Sequence, residues 1–113
     1  MKQGKAAVIR EKASPLAVET VTFGAPQADE VLVRIVGTGV CHTDMVVRDQ
    51  GYPVPLPLVA GHEGAGVVEA VGENVRTLAV GDHVVLAFGH CGACGNCKAG
   101  KPGYCLEFYD RNF

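Results

Sequence analysis

The chain has 113 residues, 48% of them apolar and 19% charged, with a formal net charge of −2; that suits one domain with a core of its own. The balance excludes the basic footprint of a nucleic-acid binder and the polybasic patch of a membrane-surface protein, and no run of about 18 apolar residues offers a membrane span. The start, Met1-Lys2-Gln3-Gly4-Lys5, leads into a strand-like run without the apolar segment and cleavage site of a signal peptide. A cytoplasmic location with reduced thiols is therefore expected.

In chain order, Ala6 to Arg10 reads as a first strand. Leu16 to Phe23 alternates, with Leu16, Val18 and Thr20 on one face and Ala17, Glu19 and Val21 on the other, and its β-branched content supports a strand. Gly24-Ala25-Pro26 breaks it. Val31 to Val36 is a third strand, whose alternation is expected to divide core from solvent. Gly37-Thr38-Gly39 ends that strand and delivers Cys41-His42-Thr43-Asp44. Met45 to Asp49 reads as a short helix with Thr43 or Asp44 as N-cap. Prolines at 53, 55 and 57 make Gly51 to Pro57 an extended loop. The later half of Gly61 to Gly72 is a strand, Gly81-Asp82 a turn and His83 to Phe88 another strand. Several short strands, little helix and no βαβ rhythm imply a mainly β barrel or sandwich. Gly61-X-X-Gly64-X-Gly66 is the nearest approach to a dinucleotide fingerprint, and it precedes a strand where such a site needs a helix.

Four of the five cysteines fall within fifteen residues: Cys91, Cys94, Cys97 and Cys105. Gly92 and Gly95 between them allow the tight turns that bring sulfurs together. Four thiolates with no other strong ligand are the signature of a closed tetrahedral zinc site. Two disulfides, an iron–sulfur cluster or unliganded thiols are the alternatives. The first three cysteines match the bacterial ferredoxin run, but the fourth comes too late and Leu106 follows it where that run has proline. His90 is a bystander to this set.

Cys41 and His62 stand at either end of the proline-rich stretch. Alone, each reads as an ordinary buried cysteine or structural histidine. Asp44 three residues after Cys41, and Glu63 directly after His62, change that reading: thiolate and imidazole suit zinc, and a carboxylate commonly orients a ligating histidine. Two ligands leave such a site incomplete.

Gly39-Val40-Cys41-His42-Thr43-Asp44, Gly61-His62-Glu63-Gly64-Ala65-Gly66-Val67-Val68, Gly81-Asp82-His83-Val84 and the four-cysteine lobe occur together and in order. From about Lys5 to Cys105 the chain resembles the N-terminal part of the zinc-dependent medium-chain alcohol dehydrogenases. Cys41 to Pro57 is most similar to the aryl-alcohol (benzyl-alcohol) members. The resemblance implies a GroES-like, partly open β-barrel with a projecting zinc loop at 89–106, all of 1–113 belonging to one truncated N-terminal catalytic domain. It implies that Cys41 and His62 are catalytic-zinc ligands, with Glu63 behind or transiently on the metal, and that Asp44 holds the His62 imidazole. Thr43 would contact the alcohol hydroxyl and pass its proton on, and His42 would lie near the cofactor pyrophosphate. Cys91, Cys94, Cys97 and Cys105 would hold the structural zinc. Zinc as a Lewis acid lowers the pKa of an alcohol toward neutrality, and a hydroxyl such as Thr43 both donates and accepts.

Two departures are expected to matter. The family's relay histidine, five positions after the first ligand, is here Val46, so His42 or water would take the proton. The third zinc ligand and the nicotinamide-binding domain would lie beyond residue 113, in a longer homo-oligomeric protein that oxidises a primary, aromatic or allylic alcohol to an aldehyde with NAD. The isolated chain would then be inactive, with zinc in the lobe and weak or no metal at Cys41 and His62. The readings from other classes are a non-catalytic GroES-like folding or binding module with a structural zinc, and an iron–sulfur electron carrier.

Overall fold

A computed structural model describes residues 1–113. Its first sheet is built on a hairpin: β1 (Lys2–Ile9) runs antiparallel to β2 (Ala17–Phe23), with Lys2 opposite Phe23 and Val8 opposite Ala17. The outer side of β1 pairs with a two-residue strand, β4 (Leu58–Val59), giving the order β2-β1-β4. The second sheet has the order β3-β5-β6, all antiparallel, from β3 (Val31–Thr38), β5 (Gly64–Val71) and β6 (His83–Val85). Helix is confined to α1 (His42–Arg48), α2 (Gly95–Lys98), a 3-10 turn at Pro102–Tyr104 and α3 (Phe108–Asn112). The mainly β expectation therefore holds. No helix is long and apolar enough to cross a membrane.

The elements differ from the sequence reading where long-range pairing decides. β1 starts four residues earlier than its apolar run, because Lys2 to Lys5 pair with Thr20 to Phe23 whatever their hydropathy. The last strand ends at Val85, not at Phe88, since β6 pairs only with Ala65 to Val67. The alternation of Val31 to Val36 does not divide core from solvent: Ile35 is 49% and Val36 65% exposed. Two bulges, at Leu32/Val33 and Ile35/Gly37, shift the register of β3 on β5, and the end of this edge strand is uncovered. Val85 on the opposite edge is 80% exposed.

Only 10 of the 113 residues are buried, so side-chain packing is concentrated in one small cluster. Ile9, Val47 and Val54 form it, joined by Leu16, Leu56, Leu58, Ala60 and Phe113. The cluster joins β1, helix α1, the proline loop and the end of the chain, at about 1.5–3 kcal/mol for each fully buried aliphatic side chain. α3 closes over it: the Tyr109 hydroxyl donates to the Pro53 carbonyl at 3.1 Å, and Phe113 packs against Tyr52 and Tyr109. Both chemical constellations of the sequence border this cluster or project from its edge.

Candidate metal centres and cleft

The cysteine lobe is shaped by backbone donors aimed at sulfur. Ala93 and Cys94 N–H donate to Cys91 Sγ at 3.3 and 3.2 Å. Cys91 and Glu107 N–H donate to Cys105 Sγ at 3.3 and 3.4 Å. Cys94 is also the N-cap of α2, its Sγ accepting from Cys97 N–H at 3.5 Å. The Asn96 amide donates to the Tyr104 carbonyl at 2.7 Å and ties α2 to the 3-10 turn. Such donors stabilise the thiolate form. N–H groups of Leu106 and Cys97 hold Cys94 well below the usual thiol range, at about 6. Cys105 is lowered too, chiefly by the Cys91 N–H, whereas desolvation pushes the Cys97 thiol up to about 12.

The four sulfurs lie within 4.8 Å of one another, and Cys91 Sγ to Cys97 Sγ is 3.9 Å. Zinc–sulfur bonds of about 2.3 Å in a tetrahedron place neighbouring sulfurs about 3.8 Å apart. The set therefore fits one tetrahedral ion. It is too tight for an iron–sulfide cluster, whose inorganic sulfides spread the ligating sulfurs further apart, and all five cysteines are free of disulfides. His90 takes no part in the group.

The second constellation forms at the N-terminus of α1. The helix begins at His42, earlier than the expected Met45, and its N-cap is Cys41, not Thr43 or Asp44. The reason is Asp44: at the third helical position, its Oδ2 reaches back to accept the Cys41 N–H at 2.9 Å. The other oxygen of the same carboxylate, Oδ1, lies 3.2 Å from His62 Nδ1. Asp44 is 6% exposed, so one buried carboxylate fixes two candidate ligands that are 21 positions apart. Its bond to Nδ1 sets the imidazole tautomer and leaves Nε2 free to bind a metal. Donor atoms of Cys41, His62 and Glu63 lie within 4.8 Å of one another, with His62 Nε2 at 3.9 Å from Glu63 Oε1. A thiolate, an imidazole and a carboxylate are a zinc donor set.

Thr43 lends its N–H and hydroxyl to the Cys41 sulfur, and these bonds, with His62, hold that thiol below its usual range. His62 is raised, chiefly by the Cys41 sulfur and next by the Asp44 and Glu63 charges, against an opposing desolvation. His42 is the first helical residue and is exposed, away from these contacts. Val46, half-buried on α1, offers no proton acceptor.

Glu63 reaches this group because position 39 has no side chain. A Cβ on Gly39 would overlap Glu63 Oε2 and sit 3.2 Å from its Cδ, while the Gly39 N–H donates to the Glu63 carbonyl at 2.9 Å. Gly39→Ala is therefore expected to swing the exposed Glu63 carboxylate aside with little change in folding. Competition with a chromophoric chelator should show the weaker zinc-binding event reduced and the tighter one unchanged; an unaltered weak event would sink this role for Gly39.

Beside the half-site lies a cleft of about 130 Å³, bordered by Thr43, Asp44 and His62 and walled by Val47, Leu58, Phe88 and Phe113 among others. Phe88 stacks on the His62 imidazole, with centroids 5.7 Å apart and planes at 22°, and packs against Phe108 at 5.2 Å. Phe88 read as the end of a strand in the sequence, and Asn112 carried no signal. Their roles depend on contacts between segments distant in the chain, and the one local hint was an aromatic residue just ahead of the cysteine run.

The chain as a whole is similar to known proteins. Residues 27–112 match the model of the alcohol dehydrogenase GroES-like domain. The chain is 62% identical over 109 residues to the geraniol dehydrogenase of Castellaniella defragrans, covering 96% of this chain and 29% of that protein. The crystal structure of benzyl alcohol dehydrogenase from Acinetobacter calcoaceticus superposes with a TM-score of 0.97 at 55% identity, over 100% of this chain and 31% of that one. An alcohol dehydrogenase zinc-binding domain protein from Burkholderia ambifaria gives a TM-score of 0.97 at 59% identity, over 99% of this chain and 30% of that one. The chain thus spans about three tenths of the length of the relatives it matches. With residues 27–112 of 113 matched by that family model, the chain belongs to the alcohol dehydrogenase GroES-like domain family.

Proposed function

We propose that residues 1–113 are the N-terminal portion of an alcohol dehydrogenase catalytic domain, with its structural zinc lobe at 89–106. The longer protein oxidises a primary, aromatic or allylic alcohol to the aldehyde, with NAD as hydride acceptor. Cytoplasmic residence and assembly as a homo-oligomer belong to the same proposal. The observation that carries it is the convergence of Cys41, His62 and Glu63 on one point beside an aromatic-walled cleft.

Cys91, Cys94, Cys97 and Cys105 would hold the structural zinc, and Cys41 and His62, with Glu63 behind them, the second ion. When bound, that ion supplies Lewis-acid polarisation of the alcohol oxygen. The chain's own residues do the rest. Asp44 keeps the proton of His62 on Nδ1, so that Nε2 presents its lone pair. The Thr43 hydroxyl, on the rim of the cleft, accepts the proton of the alcohol hydroxyl and donates its own onward. With valine at position 46, the onward acceptor is His42, on the exposed first turn of α1, or water. Phe88, Val47 and Leu58 exclude water from the carbon side and favour a flat unsaturated substituent.

The test is Cys41→Ser in the full-length protein, assayed with NAD against benzyl alcohol, an allylic terpene alcohol and a saturated primary alcohol. Activity on the first two should exceed that on the third and fall to background in the variant, with zinc in the lobe retained. Unchanged turnover in the variant, or a change in stability alone, would favour the non-catalytic module. For the 113-residue chain, elemental analysis is expected to find one zinc per chain, because the half-site offers fewer ligands than the closed lobe; two tightly held ions would contradict this, and iron with visible colour would point to the electron carrier.

A further inference from the structure

The neck of the cysteine lobe carries an amide bracket that none of the roles above uses. The chain enters the lobe through Phe88-Gly89-His90 and leaves it through Leu106 into α3. Between these two arms, the Asn112 carboxamide bonds one backbone unit in both directions: Oδ1 accepts the Gly89 N–H at 2.8 Å, and Nδ2 donates to the Gly89 carbonyl at 3.0 Å. The same Nδ2 donates to the Phe108 carbonyl at 2.8 Å. Phe108, from the same helix, packs its ring on Phe88. The residue before Gly89 is therefore held by its neighbour's backbone and by its own ring.

Phe88 needs such help. It lies beyond the end of β6, outside any hydrogen-bonded ladder, and is 50% exposed. Nothing in its local backbone fixes the ring over His62, yet it stacks there at 5.7 Å. We propose that Asn112 is a positioning residue: by clamping Gly89 it seats the Phe88 ring against the His62 imidazole and so sets the aromatic wall of the cleft. It acts through Phe88 and touches none of the candidate ligands, while its own side chain borders the same cleft beside Phe88 and Phe113. The seating stands on contacts within this chain, while its consequence for alcohols rests on the proposed function; a test without turnover keeps the two apart.

The test uses the zinc-loaded chain and proton NMR of the His62 ring, whose Cδ2–H and Cε1–H signals sense the ring current of Phe88. Zinc content and the amide signals of Cys91 to Cys105 report on the lobe. Phe88→Leu removes the ring-current shift and defines its size. Asn112→Ala is expected to lose most of the same shift with zinc content unchanged. Asn112→Asp keeps the acceptor for the Gly89 N–H and lacks both donors, so it should fall between Asn112→Ala and the wild type. The proposal is overturned if the His62 signals keep the wild-type shift in both Asn112 variants. It is equally overturned if both variants lose the zinc and the lobe amide signals, since Asn112 would then be a general structural residue. In the longer protein the same Asn112→Ala change should raise KM for a flat unsaturated alcohol more than it lowers kcat; absence of any dehydrogenase activity there would count against the function and leave the NMR result standing.

Discussion

Stripping zinc with a strong chelator is expected to unfold residues 91–105 while the two sheets persist, and Cys105→Ser should have the same effect without the chelator. The lobe has almost nothing else to hold it. Its helical pieces are four and three residues long, far below the roughly 12–15 residues at which an isolated helix becomes even marginal. Tyr104 and Leu106 are 74% and 76% exposed, so the segment has no apolar centre, and its one buried residue is the ligand Cys105 itself. The N–H groups that donate to Cys91 and Cys105 order the backbone only while the sulfurs are fixed. Structural zinc sites bind with an apparent free energy of about 10–16 kcal/mol at neutral pH, as large as the whole net stability of a typical domain, about 5–15 kcal/mol. Serine at 105 offers no thiolate and leaves a three-sulfur set. Acid acts in the same direction, because ligands must be deprotonated to bind, so zinc leaves as pH falls. Hydrogen exchange of the lobe amides, before and after chelation, makes the check. Protection that survives in the metal-free chain would show that the backbone holds its own shape.

Asp44→Ala is expected to destabilise the fold by about 1–3 kcal/mol, the cost of stranding a buried donor, and to loosen the half-site at once. The carboxylate accepts from the Cys41 N–H and from His62 Nδ1. Without it the first turn of α1 loses its cap, and the imidazole loses the partner that selects its tautomer. Loss of such an outer partner typically costs about 10–100-fold in metal affinity. Asp44→Asn is the informative companion: its amide oxygen can still accept the Cys41 N–H, but its NH2 then faces His62 Nδ1 and favours the wrong imidazole tautomer. Stability should therefore rank Asp above Asn above Ala. Chemical denaturation gives the ranking, and nitrogen chemical shifts of His62 give the tautomer. An unchanged midpoint together with an unchanged Nδ1–H tautomer in the alanine variant would rule out the double role.

How much of this was readable in advance follows from how local each feature is. The four-cysteine lobe is a matter of spacing and glycine, and its sulfurs meet as that spacing requires. Cys41, Asp44, His62 and Glu63 stood out as metal-type residues with carboxylate neighbours, and the fold brings the four together. What the sequence concealed depends on distant segments. Cysteine is not among the usual N-cap residues, so the start of α1 at His42 could be seen only once Asp44 had turned back on it. β4 is two residues long and exists because Leu58 and Val59 meet Val8 and Ile9. The stack of Phe88 on His62 and the bracket between Gly89 and Asn112 join residues more than 20 positions apart. The exposure of Ile35 and Val36 was hidden for a related reason: alternation reveals that a strand has two faces, and says nothing about what covers either.

The lobe enters and leaves at one place. Gly89 and Asn112 face each other across the neck, so everything between them is a loop whose ends are already joined by two hydrogen bonds. A segment anchored in this way is modular. Its length and contents can vary, or it can be transplanted into another scaffold that presents the same two ends, without disturbing the register of either sheet. Closing such a loop costs entropy that grows only with the logarithm of its length. Shortened or extended lobes grafted on this neck should therefore be tolerated by the rest of the chain far better than a change of one residue in the strands on which the neck stands.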